Sequence, residues 1–146
     1  MNHTMAFIDC EFNGFGGDLI SMAIVTPSGD EFYEVIECKK PSHWVFENVM
    51  PVLNKQTITI DLFKKRLGNW IGKYDSIYLI ADWPDDIRYF CQSVILSPGQ
   101  SMRLPTEMKM QIIKIDIESK IPHNALSDAK AIMQAVYSNA NANNQS

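Results

Sequence analysis

The stretch Met5-Ala-Phe-Ile-Asp-Cys-Glu-Phe-Asn-Gly-Phe-Gly-Gly17 limits what this chain can become more than any other. Met5 to Phe12 is short, apolar and β-prone, and the glycine-rich run after it is a turn signal, so it reads as a strand. Asp9 and Glu11 are two residues apart within it. On a strand rising ~3.3 Å per residue, that spacing puts both carboxylates on one face, about 7 Å apart along the chain. Cys10 then points the other way, into a core. Two carboxylates on one face of an apolar strand repel each other and lose hydration, which is costly unless a cation sits between them. Such oxygen ligands suit Mg²⁺ or Mn²⁺, ions that keep some water and complete their shell with substrate phosphate. The competing reading is a solvated edge strand, and further ligands later in the chain decide between the two.

Leu19–Val25 is an apolar run of strand length, Thr26-Pro-Ser-Gly-Asp30 is a turn, and Glu31–Cys38 alternates as a half-buried strand. The first three strands therefore read as an antiparallel meander. A short helix follows, capped by Ser42 and ending at Pro51, with His43 as a surface histidine. Thr57 or Thr59 caps the next helix, whose apolar positions recur at helical spacing while Lys64, Lys65 and Arg66 fall on the opposite face. That basic trio reads as a solvated face or as a hold on a nucleic-acid tail. Ser76–Ala81 is a buried-type strand. Pro84, Asp85 and Asp86 suit the first turn of a helix running to Leu96, because carboxylates favour that end of the helix dipole. Met108–Ile115 is the last expected strand, and a final helix follows Pro122. The fold class is α/β: a mixed sheet of about five strands flanked by helices.

At 146 residues the chain fits one domain, expected over 1–138, with a loose polar tail over 139–146. No basic start with a long apolar run is seen, and nothing approaches the ~20 apolar residues of a membrane span, so the expected location is the cytoplasm. The three cysteines are scattered, without disulfide or metal-ligand spacing. The net charge of −4 argues against gripping long nucleic acid by phosphate neutralisation alone, but not against a small site whose positive charge comes from metal ions.

Three acidic groups thus fall in three elements: Asp9 and Glu11; Asp82, Asp85 and Asp86; and Asp128, with His123 in the loop just before it. Alone, H-x₄-D carries almost no information. After a strand-borne D-x-E and a strand-end aspartate cluster, it becomes specific. In that order Phe7-Ile-Asp-Cys-Glu-Phe, Ala81-Asp-Trp-Pro-Asp-Asp-Ile-Arg-Tyr-Phe and His123-Asn-Ala-Leu-Ser-Asp-Ala resemble the three motifs of the DEDDh 3′-to-5′ exonucleases. The layout is most similar to compact exoribonucleases related to ribonuclease T and oligoribonuclease, particularly the short mycobacterial-type group, over about residues 5 to 138.

The resemblance implies a ribonuclease H-like fold and two divalent cations, Mg²⁺ or Mn²⁺, held by Asp9, Glu11, Asp86 and Asp128. It makes His123 the general base, and the substrate a single-stranded 3′ end of RNA, or less often DNA. Phe12, Asn13, Gly14, Asp82 and Trp83 would lie along the terminal nucleotide, Phe12 and Phe15 being equally readable as core residues and Trp83 more readily as structural. The second motif departs from the usual asparagine and aromatic, having Asp82 and Asp85 there, so Asp86 is assigned as the fourth ligand. Relatives are often homodimers, which adds a second copy to the expected partners. A different class, a ribonuclease H-like module that binds nucleic acid or a nucleotide without cutting, is the alternative.

Overall fold

The computed structural model describes residues 3–145. Strands β1 (Thr4–Phe12), β2 (Leu19–Val25) and β3 (Glu31–Ile36) form the expected antiparallel meander. Helix α1 (His43–Asn48) and a 3-10 turn (Met50–Val52) lead to a two-residue strand β4 (Thr57–Ile58), then helix α2 (Ile60–Ile71). Strand β5 (Ser76–Ala81) precedes helix α3 (Pro84–Val94), a small hairpin of β6 (Ile95–Ser97) and β7 (Gln100–Ser101), strand β8 (Glu107–Ile112) and helix α4 (Ala125–Asn143).

The six strands of the main sheet run in the order β4-β3-β2-β1-β5-β8. β5 lies parallel to β1, and β8 parallel to β5. The sheet has one strand more than expected because β4 adds itself beside β3, again in parallel. Two apolar layers hold it. Ala6, Ile8 and Cys10 on one face of β1 join Phe63, Leu67 and Ile71 of α2 and Phe90 of α3. Phe7 on the other face packs with Ala125, Ala129 and Ile132 of α4. The period-two alternation of a single strand thus feeds two cores, and it turns Asp9 and Glu11 to the α4 side.

The helix starts follow their capping residues. Ser42 Oγ accepts from the Val45 N–H at 3.3 Å, and Thr59, of the two threonines considered, caps α2 through the Leu62 N–H at 3.2 Å. Several boundaries move: β3 ends at Ile36 rather than Cys38, and α1 at Asn48 rather than Pro51. Helix α3 stops at Val94 rather than Leu96, because Ile95 leaves helical geometry to pair with Ser101. The last strand covers Glu107–Ile112 rather than Met108–Ile115. The loose tail expected over 139–146 is helical as far as Asn143; Asn144 ends α4 by donating its N–H to the Ala140 and Ala142 carbonyls. The physical reason is cooperativity: once a helix is nucleated, each added alanine or asparagine gains a hydrogen bond without needing burial. Ser146 lies outside the described residues. Among those described, no helix is long and apolar enough to cross a membrane.

Candidate metal centre at the end of the first strand

β1 outruns its parallel neighbour. Pairing with β5 covers only Thr4 to Phe7, so the N–H of Cys10 has no partner on that side of the sheet. Asp86, in the first turn of α3, fills the gap: its Oδ1 accepts from Cys10 N–H at 2.9 Å. This one bond brings the start of α3 against the acidic end of β1. From the opposite layer, α4 brings Asp128, whose carboxylate accepts from the backbone N–H of His123 at 3.2 Å.

Two carboxylate triads result, and Asp9 belongs to both. Ligand atoms of Asp9, Glu11 and Asp128 all lie within 4.8 Å of one another, as do those of Asp9, Asp82 and Asp86. The structure thus gathers all four expected ligands and adds Asp82, expected beside the substrate. Asp85 stands apart: it accepts from Trp83 Nε1 at 3.0 Å and pairs with Arg88 at 3.4 Å.

The site is electrostatically unsatisfied. Asp9 is 9% exposed and Asp86 2% exposed, and Oδ2 of each is buried without a hydrogen-bond partner. Burial, followed by the charges of Asp86, Glu11, Asp128 and Asp82, holds the Asp9 carboxyl well above the ordinary carboxylate range. Burial pushes Glu11 up to about 8, and the nearby Asp128 and Asp86 add to the shift. Asp86 is likewise pushed up to about 8, mainly by burial, although the Cys10 N–H pulls the other way. Burial also raises Asp82 and Asp128, the latter opposed by the Ser119 hydroxyl and by His123. Native proteins rarely bury unpartnered carboxylate oxygens. Hard divalent cations bound through oxygen would satisfy both orphans and reverse the shifts, so the donor set fits Mg²⁺ or Mn²⁺.

His123 sits at the rim in the left-handed region, at φ 68°, a conformation that costs a side chain about 1 kcal/mol or more. Its neighbour Asn124 explains why it stays there. Asn124 caps α4 by accepting from the Ser127 N–H at 3.0 Å, and its side-chain N–H₂ donates to the Val52 carbonyl at 2.8 Å. The start of α4 is thereby fastened to the 3-10 turn after α1. On the other side, the Trp44 ring meets the imidazole edge-on, centroids 5.0 Å apart and planes at 84°. Trp44 is 54% exposed, an aromatic surface at the mouth of the site that the sequence reading did not single out. Its only sequence signal was a tryptophan in the first turn of a capped helix, which is as common in a core.

The expected substrate-side residues divide. Phe12 stacks on Tyr89 at 4.9 Å and is part of the core layer. Asn13 ties the glycine turn to the loop before α1: its Nδ2 donates to the Lys40 carbonyl and its Oδ1 accepts from the Ser42 N–H, each at 2.8 Å. Gly14 has φ 73°, and a Cβ on Gly17 would lie 1.8 Å from the Asn13 carbonyl oxygen, so the turn demands glycine. Trp83 is 59% exposed, close to Asp82 and Asp86 in sequence.

No family model matches the chain, and no curated protein matches it at a significant level.

Proposed function

We propose that this chain is a metal-dependent nuclease that removes nucleotides from the 3′ end of single-stranded nucleic acid, RNA in preference to DNA. The observation that carries this reading is the pair of carboxylate triads joined at Asp9, with His123 beside one of them. The three motifs resembling DEDDh exonucleases supply the direction of attack and the preference for RNA. The antiparallel β1–β3 unit, continued by parallel β5 and β8, supports a ribonuclease H-like arrangement.

Asp9, Glu11, Asp82, Asp86 and Asp128 would hold two divalent cations. When bound, such ions stabilise negative charge on the attacking and leaving oxygens of an in-line displacement. The chain's own groups do the rest. His123 accepts the proton of the attacking water as general base. Water oxygen bonds to phosphorus, the bond from phosphorus to the upstream O3′ breaks, and solvent returns a proton to that O3′. The products are a nucleoside 5′-monophosphate and a chain shorter by one. The exposed ring of Trp44 offers a face for the terminal base, a contact worth ~1–3 kcal/mol.

Digestion of end-labelled RNA and DNA oligonucleotides with Mg²⁺ or Mn²⁺ tests the reading. Progressive shortening of a 5′-labelled strand, lost in His123→Ala and Asp9→Ala, is the expected result. Strands that stay intact with either cation would overturn it, and retained binding without cutting would identify a non-catalytic module instead.

A further inference from the structure

Three cations are neutralised where α2 faces β3. Arg66 and Lys55 pair with Glu34 at 3.0 and 3.2 Å, and Lys73 pairs with Asp30 at 2.7 Å. The opposite side of α2 differs. Lys64, Lys65 and Arg103 form no ion pair among the described residues; the Lys64 ammonium reaches only the Ile95 carbonyl, 3.2 Å away.

These three line a groove made of two hollows that meet at Lys64. One hollow of about 320 Å³ opens at the glycine turn, between Gly16, Gly17, Lys64 and Arg88. A second, of about 660 Å³, continues past Lys64 to Lys65, Gly68 and Arg103. Lys64 belongs to both, so they adjoin. Tyr89 fastens the inner end by hydrogen-bonding the Gly17 carbonyl. Asp18 and Asp61 also border the groove, leaving the cations in excess. In a chain of net charge −4, a row of cations without ion pairs, beginning at the turn that follows the Asp9/Glu11 strand, suits a polyanion.

We infer that this groove is the track for the phosphate backbone of the substrate upstream of its 3′ end, so that the preferred substrate is a single strand several nucleotides long. The inference rests on the nuclease reading and deepens it. α2 has 12 residues, which gives the track a length of about 18 Å at 1.5 Å per residue.

The test compares wild type with Lys64→Gln/Lys65→Gln/Arg103→Gln, on a labelled ribo-oligonucleotide of about twelve residues and on a trinucleotide. Binding to the long strand is followed by fluorescence anisotropy in metal-free buffer across a salt series. Loss of three phosphate contacts lowers the slope of log affinity against log salt by about 2, at roughly 0.7 per contact for a single strand. Cleavage of the trinucleotide stays at the wild-type rate while KM for the long strand rises about tenfold or more. The exposed pair Lys65→Gln/Arg103→Gln repeats the test without disturbing the partly buried Lys64 stem. Wild-type affinity and salt slope in both variants would overturn the track while leaving the nuclease reading intact. A long strand bound with a track-dependent slope but never shortened would do the reverse.

Discussion

The backbone N–H of His123 donates to Oδ2 of Asp128, 3.2 Å away, across the first turn of α4. Proposed base and proposed metal ligand are thus one local structure, in which His123 holds φ 68°. That strain separates stability from activity. His123→Gly removes the unfavourable side-chain contact with the backbone while keeping the N–H, so its melting temperature should equal or exceed that of wild type. Its single-turnover cleavage rate should fall ~10²–10⁴-fold, as expected for loss of a general base. Thermal melts beside rapid-quench kinetics check both, and a clear drop in stability would refute the strain argument.

Charge in the carboxylate cluster sets a pH dependence with a definite sign. Burial and neighbouring carboxylates push Glu11 and Asp86 up to about 8, from ordinary values of 4.5 and 3.8. Between those limits the folded, metal-free protein keeps protons that the unfolded chain has released. The stability these groups contribute is present below pH about 4 and is lost as pH rises toward about 8. Melting temperature in chelator should therefore fall across that window, and saturating Mg²⁺ should restore it by about 2.7 kcal/mol at a hundredfold excess over Kd. Metal binding at neutral pH should also release protons, measurable by calorimetry in buffers of different ionisation enthalpy. A metal-free midpoint that climbs over the same range would contradict the assignment.

Asp82, Asp85 and Asp86 make different predictions although they lie within five residues. Asp82→Asn and Asp86→Asn each remove a ligand atom from the triad shared with Asp9, and should weaken metal affinity tenfold or more. Asp85, engaged by Trp83 and Arg88, lies outside both triads, and Asp85→Asn should bind metal like wild type. Isothermal titration with Mn²⁺ separates Asp85 from the other two. Equal effects from all of them would mean that the cluster acts only through its total charge.

Asn124 is a positioning residue. Asn124→Ala loses the cap of α4 and the bond to the Val52 carbonyl, and should cost about 1–2 kcal/mol of stability. Asn124→Asp keeps the cap but loses the donor. Its kcat should drop while its melting temperature falls less than that of the alanine variant. If both variants keep wild-type kcat, the tie to the 3-10 turn has no part in orienting His123.

The sequence by itself determined the strand carrying Asp9 and Glu11, the glycine turn after it, the cap at Ser42, and the first turn of α3. These depend on neighbours within a few residues, where alternation, φ preference and side-chain capping act. It also ordered the acidic motifs along the chain. Only the tertiary structure decided which of those carboxylates meet. Asp82 joined Asp86 and Asp9 because β5 stops pairing at Phe7, freeing the Cys10 N–H to draw in α3. Trp44 met His123 because Asn124 links α4 to a turn 72 residues earlier. Phe12 and Asn13, adjacent to the acidic pair and therefore expected beside the substrate, were taken up by Tyr89 and by Ser42 instead. Contacts of that separation depend on how layers pack, and no local pattern of residues encodes them.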